Sequence, residues 1–150
     1  MNLGVYTKSL AISEETEKII NSLNEGIDDG VLSSASIFVD AVGYNPMELK
    51  CGCFDSSDLW NFGGALVTTD VSGLSRALGV VNDMSIIYYH GWQDSCSALG
   101  LIQAIQNDRI KIVSKDEKSD KEFFRITGKK TRGVVSDFNI KEFKKVISNE

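Results

Sequence analysis

At 150 residues with a net charge of −5, the chain has the length of one domain, enough to bury roughly 70% of its unfolded surface. The acidic balance excludes a sequence-independent grip on nucleic acid, which needs a basic face, and no apolar run is long enough to span a bilayer. The cysteines, Cys51, Cys53 and Cys96, are odd in number and lack Cys-x-x-Cys spacing. Reduced, metal-free thiols in a cytoplasmic setting are therefore expected, with no secretory leader before Leu3.

Leu3–Tyr6 reads as a first strand. A helix follows from Ser13, which can cap it, with Glu14 and Glu15 in the first turn where the helix dipole favours acids. Ile12, Thr16, Ile19, Ile20, Leu23 and Ile27 recur on one face, and Gly30 ends the run. Ala35–Val39 is a second strand, reaching Asp40. Met47–Phe54 is a weaker third, and Asp55–Phe62 is a capped turn with Leu59 and Trp60 or Phe62 directed inward.

Gly63 to Trp92 is the most regular stretch. It holds a strand at Gly64–Val67, a helical spacing at Val71, Leu74, Leu78 and Val81, and a β-branched and aromatic strand at Ile86–Tyr89. Strand, helix and strand in about thirty residues form a βαβ unit, which implies parallel pairing. Ser95 can cap a further helix bearing Ala98, Leu99, Ile102 and Ile105 on one face. Ile110–Val113 is a strand, and Asp116–Ile126 is a helix with Phe123 and Phe124 inward. Gly133–Val135 is a last short strand. Asn139 and Glu142 form a capping box for a final helix with Ile140, Phe143, Val146 and Ile147 inward.

This alternation predicts a single α/β domain over residues 1–150. Its sheet is doubly wound, mainly parallel and Rossmann-like, with six or seven strands and helices on both faces. Leu3–Tyr6, Gly64–Val67 and Ile86–Tyr89 lack polar alternation and are expected to be central. In such a sheet ligands bind beyond the carboxyl ends of the strands, at the topological switch point. That rule selects Thr7, Lys8, Thr69, Asp70, His90 and Trp92 as the candidate ligand-binding rim, with Asp40 beyond the second strand. Lys8 would face an anionic group, Trp92 would cover a ring, and His90 would exchange a hydrogen bond. Asp70 has a competing role as a helix N-cap, and His90 and Trp92 have competing roles as rim and packing residues. No base–nucleophile pair is legible, so no residue is given a catalytic role.

Several motifs are missing. There is no G-x-G-x-x-G after the first strand, no P-loop and no G-x-S-x-G elbow. One histidine and three cysteines do not make a zinc site, so neither metal nor cofactor is expected. A phospho-receiver would carry an acidic pair where Thr7-Lys8 stands.

Asn2-Leu3-Gly4-Val5-Tyr6-Thr7 resembles the first strand of GT-B glycosyltransferases. Ala65-Leu66-Val67-Thr68-Thr69-Asp70, with Ile86 to Trp92, is similar to the middle of their N-terminal half. The chain also resembles small glycosyltransferase-like proteins of bacteriophages. The resemblance implies a domain that binds a nucleotide-sugar or its acceptor, located in the cytoplasm, or the host cytoplasm for a phage-encoded chain. A GT-B enzyme has two such domains, so one alone implies a partner-dependent or inactive relative. The other class open to this sequence is a non-catalytic regulatory or interaction module of Rossmann or receiver-like fold. The expected partners are accordingly a nucleotide or nucleotide-sugar, or a protein, with no nucleic acid and no membrane.

Overall fold

The computed structural model describes residues 1–93 and 98–148. Six strands, β1 (Asn2–Ser9), β2 (Ser34–Ala41), β3 (Gly52–Asp55), β4 (Ala65–Thr68), β5 (Ser85–His90) and β6 (Ile110–Ser114), form one sheet in the order β3-β2-β1-β4-β5-β6. Every pairing is parallel. Chain order runs outward from β1 to β3, then returns across β1 to β4 and runs outward again. The switch point therefore lies between β1 and β4. β1, β4 and β5 each have a neighbour on both sides, as their unbroken apolar character requires.

Strand alternation splits the core into two layers. Leu3, Val5, Ile37, Val39, Val67, Ile87, Tyr89 and Val113 face α1 (Glu14–Asp28) and α5 (Ile140–Ser148). Tyr6, Phe38, Leu66, Ile86 and Tyr88 face α2 (Val71–Leu78), α3 (Ala98–Ala104), α4 (Glu117–Thr127) and a short 3-10 helix at Ser56–Asn61. A period of two in the strands thus feeds helices on both faces.

The caps follow their chemistry. Ser13 accepts from the Thr16 amide, Asp70 from Gly73 and Asp116 from Ser119. Gly128 closes α4 in the left-handed region at φ +70, which only glycine enters freely. Asn139 caps α5 through the amides of Lys141 and Glu142. Glu142 reaches instead to the Ser136 amide at 2.8 Å, so only half of the expected capping box forms.

Several expectations need correction. Gly133–Val135 is not a strand. It makes one parallel bridge, Ser114 with Val134, because the glycine beside it at φ +152 breaks the extended run. The buried stripe of α3 is Leu101, Ala104 and Ile105, while Leu99 and Ile102 are exposed. The stretch 98–105 is apolar on two adjacent stripes, and the sheet takes the other one. Phe123 is fully buried but Phe124, the next residue round the helix, is half exposed. Phe62 turns inward and Trp60 stays in solvent; Ile12 and Val81 lie exposed, outside the helices they were assigned to. The capping role of Ser95 and the third thiol, Cys96, fall outside the described residues.

Candidate functional site

The carboxyl edge of the sheet carries an island of polar side chains on an otherwise apolar core. Thr7, Thr69, Asp70 and His90 are all buried there. Thr7 lies two residues before the end of β1, Thr69 and Asp70 follow β4, and His90 ends β5, so the parallel ladder brings distant positions to one edge.

Two of the six expected residues meet through a residue the sequence reading did not select. Gln93 donates from Nε2 to Thr7 Oγ1 at 3.5 Å, and its Oε1 lies 3.3 Å from Thr69 Oγ1. Thr69 Oγ1 is also 3.3 Å from the Tyr6 carbonyl. Thr7, Thr69 and Gln93 thereby form one cluster across β1, β4 and the loop after β5. The signal for Gln93 was present in Gly91, whose φ of +84 turns the chain back over the sheet edge.

Asp70, next to Thr69 in the chain, caps α2. One carboxylate oxygen accepts from Gly73 N at 2.6 Å and caps the helix. The other, Oδ2, is buried without a hydrogen-bond partner, and the Lys8 ammonium stands 3.8 Å from it. Lys8 is exposed, so this ion pair is worth little on its own. The expected N-cap role and the expected site position coincide in this residue.

His90 lies on the α4 face. Its Nδ1 sits 3.3 Å from the Tyr88 hydroxyl, and its ring meets Tyr88 and Phe123 edge to face. Nε2, at the far side of the ring, has no partner. Burial lowers the imidazole pKa below its ordinary value, against the opposing pull of Glu122, Asp116 and Asp120. His90 lines a cavity of about 310 Å³ with Gly91, Gln93, Lys115, Asp116, Lys118, Ser119 and Glu122.

Trp92 is on the opposite face. Its indole stacks on Tyr89 at 5.2 Å and packs against Phe138. An indole committed to the core has no face left to cover a ligand ring, so the structure corrects that expected role. Trp92 borders a separate cavity of about 450 Å³ with Glu14, Glu15, Lys18, Lys115, Asp116 and Asp137. Asp137 and Phe138 hold left-handed backbone there, at φ 48 and 59, and the Tyr89 hydroxyl ties the loop by donating to the Val135 carbonyl and accepting from Phe138 N.

A second polar group flanks the switch point. The Tyr6 hydroxyl donates to Asp40 Oδ1 at 2.7 Å, and Arg76 of α2 reaches both, with Ser56 at 3.4 Å. Burial first, then Asp40, pushes the Tyr6 pKa up to about 12, so this phenol stays protonated. Asp40, picked out as a strand-end acid, is thus held in a structural clasp.

Phosphate has no cradle at the first helix. The first turn of α1 carries Glu14, Glu15 and Glu17, and no glycine lies between β1 and α1. Among the described residues, no cluster of three or more histidine, cysteine or carboxylate side chains could hold a metal ion, and no helix is long and apolar enough to cross a membrane. Comparison with protein-family models, with curated proteins and with solved structures found no match to this chain.

Proposed function

We propose that this chain is a ligand-binding Rossmann-like domain that holds a small polar molecule, of the nucleotide-sugar or sugar-acceptor class, at the carboxyl edge of its sheet. The observation that carries this reading is the island of buried Thr7, Thr69, Asp70 and His90 with half-buried Gln93, in which Asp70 Oδ2 and His90 Nε2 lack hydrogen-bond partners. A buried polar atom left unpaired costs about 1–3 kcal/mol, so folding alone gives no reason to keep two. A bound hydroxyl or amide would satisfy both.

The resemblance of β1 and of the β4–β5 unit to glycosyltransferase domains supplies the ligand class. The three glutamates of α1 weigh against a dinucleotide-type phosphate site and toward contacts with the sugar or acceptor part. No side chain is assigned a catalytic role. The free thiols of Cys51 and Cys53 suit a reducing compartment such as the cytoplasm.

A thermal-shift series with nucleotides, nucleotide-sugars and free sugars tests the proposal. A ligand at 100 times its Kd adds about 2.7 kcal/mol of stability. Thr69→Val, which also gives up the bond to the Tyr6 carbonyl, should melt somewhat lower than the parent and show no shift with the ligand. No shift with any member of the series, or an unchanged shift in Thr69→Val, would reject it.

One observation favours the alternative, an interaction module. Phe54 of β3 and Trp60 of the 3-10 helix that follows it are exposed, and β3 is an edge strand with its outer side unpaired among the described residues. If that reading holds, Trp60→Asp should abolish partner binding, and the thermal-shift series should stay flat.

A further inference from the structure

The His90 cavity has properties of its own. In the parallel register His90 of β5 stands beside Ser114 of β6. Val113 points into the α1 and α5 layer, so Ser114 points, like His90, toward α4. Ser114 Oγ is fully buried and also lacks a hydrogen-bond partner. Two orphaned polar atoms thus lie on neighbouring strands at the carboxyl edge; His90 lines the cavity, and Ser114 is buried outside its lining.

The walls are balanced in charge. Lys115 and Lys118 face Asp116 and Glu122, and the imidazole is neutral because it is buried. Asp116 already occupies the N-terminus of α4 through its bond to Ser119 N at 2.7 Å. An oxyanion entering here would meet two carboxylates and gain no net positive field. A nucleobase would need a stacking face; the Tyr88 ring at the cavity wall is 1% exposed and meets His90 edge to face, and Trp92 is on the other side of the sheet. What remains is a group that carries several neutral donors and acceptors. A hydroxyl can serve a histidine nitrogen of either tautomer, a serine hydroxyl and a carboxylate. The volume sits at the low end of ligand pockets, roughly 300–1,000 Å³.

We propose that this cavity receives an uncharged, hydroxyl-rich group, a sugar ring or polyol, with His90 Nε2 bonding one of its hydroxyls, Glu122 gripping it at the mouth, and phosphate excluded. This rests on the carboxyl edge being ligand-bearing. Gln93 joins the two, since it lines the cavity and also contacts Thr7 and Thr69.

His90 is the only histidine, so the full chain labelled with ¹⁵N-histidine gives a single imidazole signal set. The probes are glucose, galactose, N-acetylglucosamine, glycerol, inorganic phosphate and a uridine diphosphate, each titrated while imidazole and backbone amide signals are followed. The expected result is a saturable change at Nε2 with at least one sugar or polyol and none with phosphate. Glu122→Gln, an exposed substitution on α4, should weaken that binding about tenfold and lower the imidazole pKa of the free protein further, with the backbone amide spectrum away from α4 unchanged. A shift with phosphate and none with the sugars overturns the proposal. So does silence at Nε2 with every probe, which would leave the orphaned pair to a buried water. If Nε2 is silent while the nucleotide moves the Thr69 and Asp70 amides, this proposal fails and the broader ligand-binding one stands. Silence everywhere removes both.

Discussion

Asp70 does two jobs with two oxygens, and substitutions separate them. Asn keeps an acceptor for the Gly73 amide and removes the charge opposite Lys8; Ala removes both. Asp70→Ala should cost about 1 kcal/mol of stability through the lost cap, whereas Asp70→Asn should cost little. Chemical denaturation of the two variants checks this, and equal losses would show that the charge, not the cap, is the structural element. His90 makes a pH prediction. Burial holds its folded pKa below the ordinary value of 6.5, so the unfolded chain takes up the proton first as pH falls. The stability of the neutral imidazole is complete above about pH 6.5 and is lost as pH drops below it, before most carboxylates titrate. As pH falls from about 6.5 to about 5, the protein should lose stability and His90→Gln should show a flatter slope. Identical slopes would mean the imidazole is solvated. Thr7, Thr69 and Asp70 were legible as strand-end residues from topology alone. The placement of Trp92 was not, because the positive φ at Gly91, and not residue type, decides which face the indole takes.

Among the elements, the helices show where periodicity underdetermines a face. In α4 the choice lies between adjacent phenylalanines. Phe123 touches His90 and the β5 layer, and Phe124 faces water. Phe123→Ala should cost about 3–5 kcal/mol, and Phe124→Ala well under 1. In α3, Leu101→Ala should cost about 2–5 kcal/mol and Leu99→Ala about 0.5 or less. Denaturant midpoints for the two pairs check both, and reversed rankings would mean the helices are rotated. The strands were read more securely. Their apolar runs have a period of two and few alternatives, and the one strand misplaced, Gly133–Val135, is shortened by its own glycine. The edge strand also carries the described thiols. Desolvation raises the Cys51 pKa to about 11, and Cys53 is the more exposed of the two. Alkylation followed by peptide mapping should label Cys53 before Cys51; the reverse order would contradict the burial of Cys51.

The whole molecule is a six-stranded parallel sheet whose switch point lies between β1 and β4, and its polar residues gather along the carboxyl edge from there to β6. The architecture was legible because strand and helix signals alternate over nearly the whole length. The site was legible only as an edge. Which side chains meet across it depends on Gly91, on the clasp of Tyr6, Asp40 and Arg76, and on the commitment of Trp92 to the core, and none of these has a sequence spacing that announces it. The most direct test is a backbone amide chemical-shift map of the ¹⁵N-labelled protein titrated with the nucleotide-sugar or sugar that gives the largest thermal shift. Saturable changes should concentrate at Thr7, Thr69, Asp70, His90 and Gln93 and be absent at Phe54 and Trp60. Changes confined to the β3 edge, or no saturable change at the carboxyl edge, would contradict a ligand site there.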